Sequence, residues 1–113
     1  MNETATTISL ADDHPLMRRG LRDIIISTTA FHVIAEADDG ETALRLIEKH
    51  KPNIAILDVD MPKMTGFDVA HKVQKLGLPV SVVMLTMYDT ETMFNRALDF
   101  GVMGYVLKAS ALN

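Results

Sequence analysis

Along the chain, short apolar runs alternate with longer stretches whose apolar positions recur every three or four residues. Ile8–Ala11, Phe31–Ala37, Ile54–Leu57, Val80–Leu85 and Tyr105–Lys108 read as strands. Between them lie four amphipathic stripes. The first opens at Pro15, which suits an initial helical turn, with Asp13 expected to cap it. Its inward positions are Met17, Leu21, Ile24 and Ile25, with Arg18, Arg19 and Arg22 elsewhere on its surface as a solvated face. Asp38-Asp39-Gly40 turns the chain into a second stripe of Ala43, Leu44 and Ile47, which stops at Lys51-Pro52. Val69, Ala70, Val73 and Leu76 form a third, ended by Gly77 and Pro79. The fourth runs from about Thr90 to Phe100 with Met93, Ala97 and Phe100 inward. Near-continuous apolar strands alternating with helices predict an α/β domain whose parallel sheet is covered on both faces.

Composition narrows the class. With 113 residues and no Pro/Gly/Ser linker, residues 1–113 read as a single domain, and 48% hydrophobic residues suffice for a core. Fifteen acidic against eleven basic residues leave a net charge of −4, which argues against direct nucleic-acid contact. There is no cysteine, hence no disulfide and no thiolate metal site. Met1–Thr7 lacks the layout of a secretion signal, and no apolar run approaches the ~20 residues that cross a bilayer. A soluble, cytoplasmic domain without membrane contact is expected.

Candidate chemistry gathers at the strand ends, where open α/β sheets bind ligands. Strand one ends in Asp12-Asp13, strand three in Asp58, strand four in Thr86 and strand five in Lys108. If strands one, three and four are neighbours, three carboxylates, a hydroxyl and an ammonium converge. Two like charges ~4 Å apart cost about 4 kcal/mol at an effective dielectric of ~20, so such a cluster needs a cation or a protonated acid. Hard oxygen donors without thiols point to Mg²⁺ or Mn²⁺. A carboxylate beside a metal is a plausible nucleophile towards phosphorus, with Lys108, Thr86 and backbone N–H groups to spread the charge. The four histidines show no ligand spacing and read as surface residues, and nothing aims His14 at a water.

Asp12-Asp13, Asp58 followed by Met61-Pro62 and Gly66, Thr86, and Tyr105 with Lys108 three residues on resemble the receiver domain of bacterial two-component response regulators. The Asp13-His14-Pro15 start and the Gly104–Lys108 run are most similar to receivers of the NarL/LuxR type, which precede a helix-turn-helix DNA-binding domain. The match extends from about Ile8 to Lys108. It implies a flavodoxin-like, doubly wound sheet in the order 2-1-3-4-5, and Asp58 as acceptor of a phosphoryl group from a sensor histidine kinase. Asp13 and Asp58 would ligate the metal, with Asp12 nearby or acting through water and the Asp60 backbone carbonyl completing the protein share. Thr86 would follow the phosphoryl oxygen, Tyr105 would change rotamer with it, and Lys108 would pair with Asp58. The resemblance further implies an output domain outside this chain, transcription as the output, and homodimerisation as one route to it. Such a domain catalyses its own phosphorylation and dephosphorylation and is not a turnover enzyme.

Some positions depart from that pattern. Met87 stands where receivers carry a very small residue, and its side chain is expected to cover the phosphoryl group or crowd small donors. Asp60 adds an acid two residues after Asp58, and Ala109 replaces a common proline, leaving the isomer of the Lys108–Ala109 bond open. Only Ala109–Asn113 follow Lys108, so the fifth helix is expected to be missing or truncated, the chain being the N-terminal part of a longer regulator. Two further readings remain: a haloacid-dehalogenase-like phosphatase using Asp58-Val-Asp60, and a receiver-like interaction module that works without phosphorylation.

Overall fold

A computed structural model describes residues 5–111. In chain order the elements are β1 (Thr6–Ala11), α1 (Pro15–Ile26), β2 (Phe31–Ala37), α2 (Gly40–His50), β3 (Ile54–Asp58), α3 (Gly66–Lys75), β4 (Ser81–Thr86), α4 (Glu91–Asp99), β5 (Gly104–Leu107) and α5 (Lys108–Ala111). The five strands pair in parallel in the order β2-β1-β3-β4-β5. Strand order reverses beside β1, so the carboxyl ends of β1 and β3 face a common crevice.

Alternation along the strands splits the core in two. Ala55, Leu57, Val82 and Met84 face one way and pack with Ile47 of α2, Phe67, Val69 and Val73 of α3, and Ala97 of α4. Leu10, Ile56, Leu85 and Val106 face the other way, against Met17, Leu21 and Ile25 of α1 and Ala111 of α5. Among the described residues the fifth helix is short, with four residues. Lys108, expected as the last strand residue, is its first, and every described peptide bond is trans, including Lys108–Ala109.

Local chemistry explains most boundaries. Asp39 caps α2 by accepting from the Thr42 N–H, and Thr65 and Asp68 close a reciprocal capping box at α3. Thr90 caps α4. Three expectations fail here. The cap of α1 is His14, not Asp13, because Pro15 takes the first helical position and leaves the residue before it as cap. Ile24 is 49% exposed, because the stripe that meets the sheet is Met17, Leu21 and Ile25, four residues apart. Leu76 is 52% exposed, because it sits at the C-cap of α3, past the last inward turn.

Candidate functional site

The close packing of the β3–α3 connection fixes where Asp58 sits. Val59 N–H donates to the Leu85 carbonyl and Gly66 N–H donates to the Val59 carbonyl, folding the loop back over the end of β3. Gly66 is required by space: a Cβ there would lie 2.3 Å from the Asp58 carbonyl oxygen and 2.8 Å from Met84 Sδ. Met61 is buried under this loop, and Lys63 takes the left-handed backbone conformation at φ 71°. On the neighbouring strand, β1 runs into Asp12 and Asp13. Arg18, one turn into α1, ties that end down by donating from Nη1 to the Asp12 carbonyl at 2.8 Å. Arg18 and Arg22 also pair with Glu36 of β2 at 3.4 Å, so part of the basic face of α1 is engaged within the domain.

Four predicted residues meet. Lys108 Nζ lies 3.1 Å from Asp12 Oδ2 and 3.1 Å from Asp58 Oδ2, with all three side chains buried. Asp13 joins them from the next position of the β1–α1 loop. Burial pushes the Asp58 carboxyl up to about 6, the Asp12 charge adding to it while Lys108 pulls the other way. Burial alone would lower the Lys108 ammonium. The carboxylates of Asp58 and Asp12 more than reverse that and hold it above the ordinary lysine value.

The donor set fits a hard divalent cation. Asp12, Asp13, His14 and Asp58 each offer an atom within 4.8 Å of the others. Asp12 Oδ2, Asp13 Oδ1 and Asp58 Oδ2 are sealed from solvent without a hydrogen bond of good geometry, and one ammonium does not balance three acids.

Thr86 and Tyr105 do not touch this cluster directly. Thr86 is fully buried, and its hydroxyl oxygen accepts from the Tyr88 N–H at 2.9 Å. The Tyr105 hydroxyl donates to the Tyr88 carbonyl at 2.8 Å, with its ring edge-on to Phe94. Asp60 is turned outward, its Oδ2 accepting from the Tyr88 hydroxyl at 2.6 Å. That bond and the Asp60 charge raise the Tyr88 phenol above its usual value.

A model of the response regulator receiver domain matches residues 8–113. The chain belongs to that family. It is 34% identical over 108 residues to the transcriptional regulatory protein DegU of Brevibacillus brevis, covering 96% of this chain and 46% of that one. To the probable transcriptional regulatory protein NarL of Mycobacterium tuberculosis it is 39% identical over 103 residues, covering 91% and 48%. The receiver domain thus spans about half the length of the curated relatives it matches. Among solved structures it resembles the signal receiver domain of the Mycobacterium tuberculosis response regulator NarL, with a TM-score of 0.91 and 35% identity over 96% of this chain and 90% of that one. A LuxR-family DNA-binding response regulator from Staphylococcus aureus gives 0.88 and 34% over 92% and 87%. Receiver domains are signalling proteins, not turnover enzymes, and no helix among the described residues is long and apolar enough to cross a membrane.

His14, the one histidine near the strand ends, and Tyr88, which follows Thr86 into the loop beside the site, make contacts there that the sequence did not announce. His14 is exposed, as expected of the four histidines, yet its Nδ1 lies 3.0 Å from Asp12 Oδ1 and 3.1 Å from Asp13 Oδ1. Its one sequence signal was its position directly after the acid pair. Tyr88 is the hub linking Thr86, Tyr105 and Asp60. Met87, expected to cover the site, is 76% exposed and lines a cavity of about 690 Å³ together with His14, Thr86 and Lys108.

Proposed function

We propose that this receiver is a phosphorylation-controlled signalling switch that takes a phosphoryl group onto Asp58 from a sensor histidine kinase. The observation that carries the reading is the buried Asp58 carboxylate set against Asp12 and Lys108 at the carboxyl edge of the sheet. At neutral pH, above its midpoint of about 6, Asp58 is mostly ionised and nucleophilic. An Asp58 oxygen forms the new bond to phosphorus as the phosphorus–nitrogen bond of the donor phosphohistidine breaks. The departing imidazole nitrogen keeps the electron pair. Asp13, Asp58, the Asp60 carbonyl and Asp12, directly or through water, would hold a Mg²⁺ or Mn²⁺ ion. When bound, that ion neutralises charge developing on the phosphoryl oxygens.

Lys108 remains paired with the modified Asp58. The Thr86 hydroxyl turns from the Tyr88 N–H to a phosphoryl oxygen, which frees the β4–α4 loop. Tyr105, held to that loop through the Tyr88 carbonyl, moves with it. The neighbouring surface carries exposed Phe94, Leu98 and Met103, so the α4–β5 face changes shape where apolar contact is available. Shifting that equilibrium from 1:99 to 99:1 takes about 5.5 kcal/mol, within reach of a few charge-assisted hydrogen bonds. The output is control of transcription in the cytoplasm by a DNA-binding domain outside this chain, with homodimerisation as one route. Asp60 bonded outward to Tyr88 does not favour the phosphatase reading, in which a second acid must face the substrate.

Mass spectrometry of the chain with acetyl phosphate and Mg²⁺ tests this. One labile phosphoryl adduct is expected in the wild type and none in Asp58→Asn. An unlabelled wild type, or a labelled variant, overturns it.

A further inference from the structure

We propose that His14 is a direct ligand of the divalent-ion site and biases that site towards transition-metal ions over Mg²⁺. The proposal rests on the reading that the acidic cluster holds such an ion. Its Nδ1 stands 3.0 Å from Asp12 Oδ1, 3.1 Å from Asp13 Oδ1 and 3.9 Å from Asp58 Oδ2. Around an octahedral ion with bonds of about 2.1 Å, neighbouring ligands lie about 3.0 Å apart and opposite ones about 4.2 Å. Two of the three separations match adjacent corners, and the third falls between the two values.

The charge balance of the buried acids supplies an independent observation. Asp12 Oδ2 and Asp58 Oδ2 share the single Lys108 ammonium at 3.1 Å, Asp13 Oδ1 faces only the His14 ring, and the Asp12 and Asp58 side chains are 0% and 4% exposed, so one cation serves three sealed acid oxygens. A second cation shared by the three acids would balance the charge that Lys108 leaves over.

The backbone presents the ring without relying on its side chain for folding. His14 sits at the N-cap of α1 and makes no side-chain cap there. Its N–H donates to Asp12 Oδ1 at 2.8 Å, and Pro15 after it restricts the backbone to extended conformations. The ring turns Nδ1 towards the carboxylates, with Lys108 Nζ 3.4 Å away, so a proton carried on Nε2 would leave the Nδ1 lone pair to an ion those carboxylates hold. Mg²⁺ prefers oxygen throughout, whereas imidazole nitrogen strengthens binding of first-row transition ions. A mixed nitrogen and oxygen set therefore discriminates more strongly than three carboxylates alone.

Pulsed electron paramagnetic resonance of the Mn²⁺-loaded chain reads the bond directly. Nitrogen modulation from a bound imidazole is expected in the wild type and absent in His14→Ala, while His32→Ala, at an exposed site, keeps it. In titration calorimetry His14→Ala should weaken Mn²⁺ about 10-fold or more and Mg²⁺ less than about 3-fold. Bound Mn²⁺ without nitrogen modulation, or equal weakening of both ions, overturns the assignment while leaving the phosphoryl switch intact. A wild type that binds neither ion overturns both. Because the first readout uses the unmutated protein, a folding defect in the variant cannot obscure it.

Discussion

Asp58→Asn should make the metal-free domain more stable, although it removes the residue proposed to accept the phosphoryl group. A carboxyl whose midpoint moves from 3.8 to about 6 resists ionisation at neutral pH by about 3 kcal/mol as a ceiling. Water reaching the cluster past His14, whose side chain is 59% exposed, screens part of this, and about 1–2 kcal/mol is the working figure. Asparagine keeps the shape and loses the charge, and Lys108 keeps Asp12 as partner, so no ammonium is stranded. The entropy of melting is about 2.1 cal/mol/K per residue, or about 240 cal/mol/K for 113 residues, so the melting temperature should rise by about 4–8 °C. The folded carboxyl binds its proton more tightly than the unfolded chain does. Wild-type stability therefore falls as pH rises from about 4 to about 6 and levels off above. The gap between the two proteins should be full at pH 7.5 in EDTA and shrink towards pH 4.5. Saturating Mg²⁺ should narrow it by binding the wild type alone. The chain has no tryptophan, so far-ultraviolet circular dichroism during thermal melts is the assay. An asparagine variant no more stable than wild type at pH 7.5, or a gap unchanged at pH 4.5, refutes the reasoning.

Gly66→Ala places a methyl 2.3 Å from the Asp58 carbonyl oxygen and should cost about 1–3 kcal/mol in urea unfolding and slow phosphoryl uptake. A variant that unfolds and labels like wild type would remove the close approach as a constraint. Phe67→Ala empties a buried site that also packs Phe100 and sits under the Arg96 guanidinium, and should cost about 3–5 kcal/mol, measured by urea midpoint. Tyr88→Phe deletes the bond to Asp60 that bridges the β3–α3 and β4–α4 loops. It should leave the urea midpoint nearly unchanged and speed labelling by acetyl phosphate, followed by time-resolved mass spectrometry; unchanged kinetics would contradict a role for that bridge.

β1, β3, β4 and β5 were legible because each is a mainly apolar run ended by an acid, a hydroxyl or a lysine, and those ends are the candidate site. The strand order came from the resemblance, since periodicity carries no pairing information. Stripe edges were less secure. A recurrence of three to four admits Ile24 as readily as Ile25, and only the facing sheet decides between them. The cap of α1 went to the nearest carboxylate because Asp13 is a good capping residue, whereas the proline after His14 sets the position. The Tyr88–Asp60 bond joins residues 28 apart on two loops, and no local pattern announces it. His14 escaped because spacing was sought between histidines, while its partners are the acids of its own loop and Asp58.

Lys108 comes to within 3.4 Å of His14 across a separation of 94 residues, and Asp58 joins from a third strand. Lys108 has none of its acid partners until nearly all of the parallel sheet has assembled, and pairings so distant form late and slowly. A nascent or damaged molecule with its final strand undocked would present an acid pair with no ammonium between them. Readiness to receive the signal thus doubles as a certificate of completed folding, issued only when first and last strands are both in place.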